Sequence, residues 1–261
     1  METSLAHNVL KRTLEREETL MGYKAPMASV YDIFDQANNN INVLIAGNAG
    51  SGKSCFTHGM LYNLFDQNTP DELEVYLIDP KRVELRQWTV MPHVQGYARD
   101  VDSAISLLEE VRDRMMDRYD EMDEIGVKKY PGSQMYVFID EMADLMLEKP
   151  KETTYLLRKI MQMGRAANIH MVCCTQTPSR LSIPAAAQIN FDCRVGLRLD
   201  DKIDSRQAVK QNGCEELNVG ECIMKAHGET VKRPVPMYSD KHIEAMRTYW
   251  MYQRMSASAR Q

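Results

Sequence analysis

The stretch 44-LIAGNAGSGKSCF-56 decides the fold. An apolar run ends in three closely spaced glycines, and a lysine and a serine follow just where a helix would begin. Gly47, Asn48, Ala49, Gly50, Ser51, Gly52, Lys53 and Ser54 fit the pattern G-x-x-x-x-G-K-[ST] between an expected strand and an expected helix. The pattern suits an anion. Glycines let backbone N–H groups turn inward with no Cβ in the way, and the new helix points its positive end at the same place. Lys53 is expected to reach the β- and γ-phosphates of a nucleotide, and the Ser54 hydroxyl to bind Mg²⁺.

A phosphate loop needs a carboxylate partner, and 135-MYVFIDE-141 offers one. Asp140 at the end of an apolar strand is expected to serve Mg²⁺ together with Ser54, and Glu141 to activate the attacking water. The competing reading is a solvated acidic pair that opens the following helix. Asp144, one turn on, reads as structural. Gln176 ends the next apolar strand, where it either senses the γ-phosphate and positions water or serves as a turn residue.

Outward from these motifs, strands are expected at 41–46, 73–79, 134–140, 169–176, 191–199, 221–226 and 233–238. Helices are expected at 8–21, 52–66, 102–124, 151–166 and 239–254, with a loop over residues 80–97. Strands alternating with helices predict an α/β fold with a mostly parallel central sheet and helices on both faces. The organisation expected is an N-terminal helical extension (1–40), an α/β nucleotide-binding domain (41–238) and a C-terminal helix and tail (239–261).

Composition narrows the setting. The 261 residues are 44% hydrophobic and 26% charged, as in globular proteins, and carry a formal charge of −5. That balance argues against a broadly basic nucleic-acid coat but allows a narrow basic channel. The six cysteines form no CxxC pair and no zinc spacing, so they read as free thiols of a cytoplasmic protein. The 19 scattered methionines read as core filler. The charged N-terminus has no signal-peptide core, and no apolar run reaches the ~20 residues of a membrane span.

Further segments are more specific than the phosphate loop. YLIDPKRVEL, MPHV, VFIDEMADLM, GRAANIHMVCCTQTPS, DDKIDSRQAV and QNGCEELNVGECIM follow it in that order. Together, over residues 41–226, they resemble the motor domain of the FtsK/SpoIIIE family of DNA-translocating ATPases. The resemblance implies a RecA-like fold, a homo-oligomeric ring (usually a hexamer), double-stranded DNA in the pore, and ATP hydrolysed between neighbouring subunits. By position in GRAANIH, it implies that Arg165 enters the neighbour's nucleotide site; the alternative is a cation complementing a helix C-terminus. Lys202 and Arg206, in KIDSR, match family positions either beside the intersubunit phosphate or on DNA-facing loops, and as an alternative are surface charges. Many relatives read TQRPS where this chain has Thr177, which removes one pore cation; Arg180 is the expected replacement. The membrane-spanning and winged-helix parts of cell-division members are not evident, and the stretch before residue 41 is short for the usual extra α domain, so a pared-down motor is expected. Two other functions fit the same motifs: a ring ATPase of a secretion or conjugation apparatus that pumps protein or protein–DNA complexes, and a nucleotide-dependent scaffold. The intact Asp140-Glu141 pair and Arg165 speak against the scaffold.

Overall fold

A computed structural model describes residues 33–34, 36–39, 41–237 and 240–258. The helix expected at 8–21 lies outside them. Eight strands form one sheet: β1 (Asn42–Ala46), β2 (Leu73–Ile78), β3 (Val94–Ala98), β4 (Gln134–Ile139), β5 (Ile169–Thr175), β6 (Cys193–Gly196), β7 (Glu221–Ala226) and β8 (Glu229–Pro234). Their spatial order is β3-β2-β4-β5-β1-β6-β7-β8. The first six are parallel, and β7 and β8 add an antiparallel hairpin at one edge.

The long helices are α1 (Lys53–Gln67), α2 (Val101–Ile125), α4 (Pro150–Met163) and α7 (Asp240–Ser258); α3 (Met142–Glu148), α5 (Ala185–Gln188) and α6 (Lys202–Val209) are short. Strand side chains alternate between two cores. Val43, Ile45, Val75, Leu77, Tyr136, Phe138 and Val172 meet α1 and α7 through Phe56, Met60, Phe65, Ile243 and Met246. Leu44, Tyr76, Ile78, Val137, Ile139 and Met171 meet α2, α3 and α4 through Leu108, Val111, Leu145, Leu157 and Ile160. A strand buried on both faces has no polar side to show, so its sequence is a continuous apolar run.

Three expectations need correction. Residues 80–97 are not wholly loop, because β3 pairs with β2 at the sheet edge. Its VQGYA sequence is only partly buried and has no clean alternation. The last strand is Glu229–Pro234 and not 233–238. It is set by a two-residue turn at His227-Gly228, both with positive φ, which suits a hairpin. As an edge strand it is mostly exposed, so no apolar pattern marks it. The helix expected at 151–166 is present as Pro150–Met163, but a short helix for which no bounds were expected, Met142–Glu148, precedes it, and the two divide at Lys149-Pro150. Proline lacks the N–H needed inside a helix and is tolerated in a first turn.

Candidate nucleotide site

β1, in the middle of the sheet, delivers the chain into the glycine-rich loop. Gly47 N–H donates to Thr175 O (3.2 Å) and Asn48 N–H to Arg198 O (3.1 Å), so the loop is stitched to the chain leaving β5 and β6. A Cβ on Gly47 would lie 2.5 Å from Ser51 Oγ and 2.8 Å from Leu197 Cβ, so the backbone must be bare there. Gly52 has φ 106°, a conformation that L side chains rarely adopt. α1 begins immediately after it, with no side-chain cap and no acid in its first turn. Its first N–H groups have no intrahelical partner, and its positive end stays open to an anion. Ser51 Oγ is buried without a hydrogen-bond partner inside the loop, a cost that a phosphate oxygen can relieve. The cradle therefore fits a nucleotide phosphate.

Lys53 Nζ lies 3.2 Å from Asp140 Oδ1 and 3.2 Å from Asp140 O. Both side chains are buried. Burial alone lowers the Lys53 amine, but Cys174, Asp140 and Glu141 outweigh it and hold the amine above its usual value. Burial pushes the Cys174 thiol up to about 12, so at neutral pH it is uncharged and the carboxylates carry the effect. Burial also raises the Asp140 carboxyl, against the pull of Lys53 and with help from Asp79 and Glu84.

Glu141 is buried at the head of α3. It accepts the Gln176 N–H at 3.1 and 3.3 Å and the Ala143 N–H at 3.4 Å. It thus caps a helix, as the competing reading had it, but is buried and not solvated, and its carboxylate is held at the tip of β5. Lys81 Nζ stands 3.7 Å from Glu141 and 3.6 Å from Asp144.

The cradle opens on a cavity of about 550 Å³ lined by residues 48–50 and 52–55, Glu84, Gln176, Val219, Gly220, Val235 and Met237. Gly220 N–H donates to Ser51 O at 3.2 Å and Val235 N–H to Gly220 O at 2.7 Å, which ties the apolar wall to the cradle. Sequence reasoning missed that wall, because its residues come from two segments far from the loop. It also missed Glu84, whose Oε2 stands 3.6 Å from His58 Nε2, and gave no role to Lys81 within IDPK. Among the described residues, no group of three or more His, Cys, Asp or Glu side chains is arranged to hold a metal. Of the two residues expected to serve Mg²⁺, Ser54 lines the cavity and Asp140 meets Lys53 beside it.

The remaining candidates lie elsewhere. Arg165 follows α4 at the end of the sheet where β5 and β1 begin. It is exposed, and its Nη2 sits 2.8 Å from Asp192 Oδ1. Asp192 in turn accepts the Asn42 N–H at 3.3 Å, at the start of β1. β5 has seven residues, so at ~3.3 Å each roughly 20 Å separates Arg165 from the cradle of its own chain. Arg180 is exposed on the loop after Gln176. Lys210 is close to it: burial first, then Arg194 and Arg180, lower the Lys210 amine. Lys202 and Arg206 are exposed on α6 and do not line the cavity. Asp200, just before that helix, accepts from Asn48 Nδ2 at 2.5 Å.

A model of the FtsK/SpoIIIE family matches residues 16–134 and 130–180. The chain belongs to the FtsK/SpoIIIE family. It is 34% identical over 192 residues to the DNA translocase FtsK of Helicobacter pylori strain J99, covering 67% of this chain and 22% of that one. It is 30% identical over 248 residues to the DNA translocase FtsK of Mesorhizobium japonicum, covering 78% and 28%. The chain thus spans less than a third of the length of these relatives. Among solved structures, the conjugation coupling protein TcpA of pCW3, in monomer form with ATPγS, superposes with a TM-score of 0.73 at 22% identity, covering 83% of this chain and 66% of that one. The cytoplasmic domain of the type VII secretion ATPase EccC of Thermomonospora curvata gives 0.70 at 19%, covering 80% and 28%. These two likenesses are of fold: the RecA-like P-loop ATPase architecture that the sequence led us to expect. Family and cradle together make this FtsK/SpoIIIE-family chain a nucleotide-binding protein. Among the described residues no helix is long and apolar enough to cross a membrane.

Proposed function

We propose that the chain is the motor of an ATP-driven double-stranded DNA translocase, working in the cytoplasm as a homo-oligomeric ring, a hexamer by family resemblance. One observation carries this reading. Arg165 sits at the far end of the sheet from its own cradle, beyond the reach of an arginine side chain, so if it serves catalysis it serves a neighbour's nucleotide. An arginine supplied in trans is worth ~10³–10⁵ in rate in other nucleotide hydrolases.

In this reading the backbone of Gly47–Ser54 and the start of α1 take the phosphates. Lys53 exchanges part of its contact with Asp140 for a phosphate oxygen. Ser54 and Asp140 would hold Mg²⁺, which when bound would neutralise phosphate charge. Glu141, steadied by the Gln176 N–H, accepts a proton from the attacking water, and the Gln176 side chain lines the same space. The bond from Gln176 to Glu141 also links the hydrolytic carboxylate to the loop bearing Arg180. Movement of that loop against the DNA backbone, with Lys202 and Arg206 on α6 as further candidate contacts, would drive translocation. Contacts to phosphate carry no sequence information, so the motor should be indifferent to sequence.

The test is ATPase turnover with and without long duplex DNA, with particle mass measured in parallel. Strong stimulation by duplex DNA in a multi-chain particle is expected. Stimulation by a substrate peptide instead of DNA would point to a protein pump. Full turnover by a lone chain that ignores DNA would end the proposal.

A further inference from the structure

We propose that Arg118, on α2, is a positioning residue for Arg165, holding the turn 164–168 in the shape that presents Arg165 to the next subunit's nucleotide. The inference rests on the reading of Arg165 as a residue acting in trans.

Arg118 is 4% exposed, an unusual place for a guanidinium in the middle of a helix. Its Nη1 donates to Ala167 O at 2.8 Å and to Asn168 O at 3.4 Å. Its Nη2 donates to Glu74 Oε1 at 2.9 Å and to Ser133 Oγ at 3.2 Å, and its Cζ lies 4.4 Å from the centre of the Tyr130 ring. Glu74 is itself fixed by Ser133 Oγ, which donates to it at 2.5 Å, and by Arg114, whose Nη2 lies 2.5 Å from its other oxygen. The turn is gripped at other points from the same direction. Tyr119 Oη donates to Met163 O at 2.9 Å, Tyr130 N–H to Ala166 O at 2.8 Å, and Asn168 Nδ2 to Gly132 O at 3.3 Å. Carbonyls on both sides of Arg165 are therefore held by α2 or by the segment that follows it.

Stability alone does not explain this arrangement. A buried ion pair is on average no better than well-packed apolar side chains of the same volume. What a guanidinium adds is its rigid fork, which fixes two acceptors relative to one another. Arg165 itself is exposed, so its reach across a subunit boundary depends on where its backbone is held. A displacement of about 1 Å in a catalytic group costs up to ~10²-fold in rate.

The experiment compares Arg118→Met/Glu74→Gln, which removes both charges of the pair and keeps an amide for Arg114 to meet, with Arg118→Lys, which keeps a charge for Glu74 but loses the fork. Arg165→Ala is run alongside. Each is assayed for DNA-stimulated kcat, KM for ATP and thermal midpoint, alone and mixed with excess Lys53→Ala chains, whose own cradles are dead but whose turns are intact. The double variant is expected to lose about tenfold in kcat with KM unchanged, Arg118→Lys to lose less, and added Lys53→Ala chains to restore the rate per variant chain. A fault in the variant's own cradle is not repaired by a neighbour. If Arg165→Ala is rescued by mixing but the folded double variant is not, or if that variant keeps the parental kcat, the proposal is overturned. Should the double variant not fold, parental kcat in Arg118→Lys overturns it. If Arg165→Ala itself is not rescued, the trans reading fails and the proposal with it.

Discussion

The Glu141 carboxylate accepts the backbone N–H of Gln176 at 3.1 Å, joining the tips of β4 and β5 at the mouth of the nucleotide cavity. Glu141→Gln keeps an oxygen for that bond and loses the base. We expect ATPγS binding to persist while turnover falls by ~10²–10⁴, the usual worth of a general base. Turnover within a few-fold of the parent would remove Glu141 from the chemistry.

Arg165→Ala separates a structural role from a catalytic one. An exposed ion pair such as Arg165–Asp192 contributes ~0.2–1 kcal/mol, so the urea midpoint should barely move. DNA-stimulated turnover should nevertheless fall by ~10³ or more. Comparable small effects on both would leave Arg165 as a surface cation at a helix end.

Lys53→Ala leaves Asp140 buried without its partner. Breaking such a pair costs ~3–5 kcal/mol, and ATP binding should be lost as well. The deficit should depend on pH. Burial raises the folded Asp140 carboxyl above its unfolded value, so its stabilising contribution is complete below the unfolded value and lost as pH rises through the folded one. Removing Lys53 takes away the main influence pulling that value down and moves the loss to higher pH. Urea denaturation of both proteins should show a larger gap at pH ~8 than at pH ~5; a gap that is flat or shrinks with pH contradicts the assignment.

Gly52→Ala tests the cradle's backbone. At φ 106° a Cβ is strained, and it would also stand 3.3 Å from Leu197. A loss of ~1–2 kcal/mol is expected, with weaker nucleotide binding by titration calorimetry. Unchanged affinity would mean that the loop conformation does not matter to the ligand.

In the proposed mechanism Arg180, exposed on the loop after Gln176, and Arg206, exposed on α6, contact the DNA backbone. Replacing either with Ala should lower affinity for duplexes of any sequence and reduce the slope of log affinity against log salt by ~0.9. A loss confined to particular sequences, or no change in slope, would take these residues off the phosphate backbone.

Much of the site could be read directly. The loop Gly47–Ser54 is contiguous, and its spacing is dictated by the phosphate it must wrap. Asp140, Glu141 and Gln176 stand at the ends of apolar runs, where strands buried on both faces expose their tips. Less visible was whatever depends on two distant segments meeting. The cavity wall of Val219, Val235 and Met237 has no periodicity because it is built from chain leaving a loop and an edge strand. Glu84 and Lys81 look like ordinary surface charges until β2 is placed beside β4. Arg118 looks like one charge among many on an amphipathic helix, and only its burial against Glu74 and Ala167 sets it apart.

The linear chain determined the α/β class, the phosphate cradle and the family, because these rest on local spacing: a glycine-bared turn, a helix start and apolar runs of strand length. Tertiary structure alone decided the strand order, the partners of Lys53 and Glu141, and the placing of Arg165 a full strand-length from its own cradle. Lys53 meets Asp140 across 87 residues and Glu141 meets Gln176 across 35, and which segments meet is set by packing on two faces of one sheet, not by anything a short window of sequence contains.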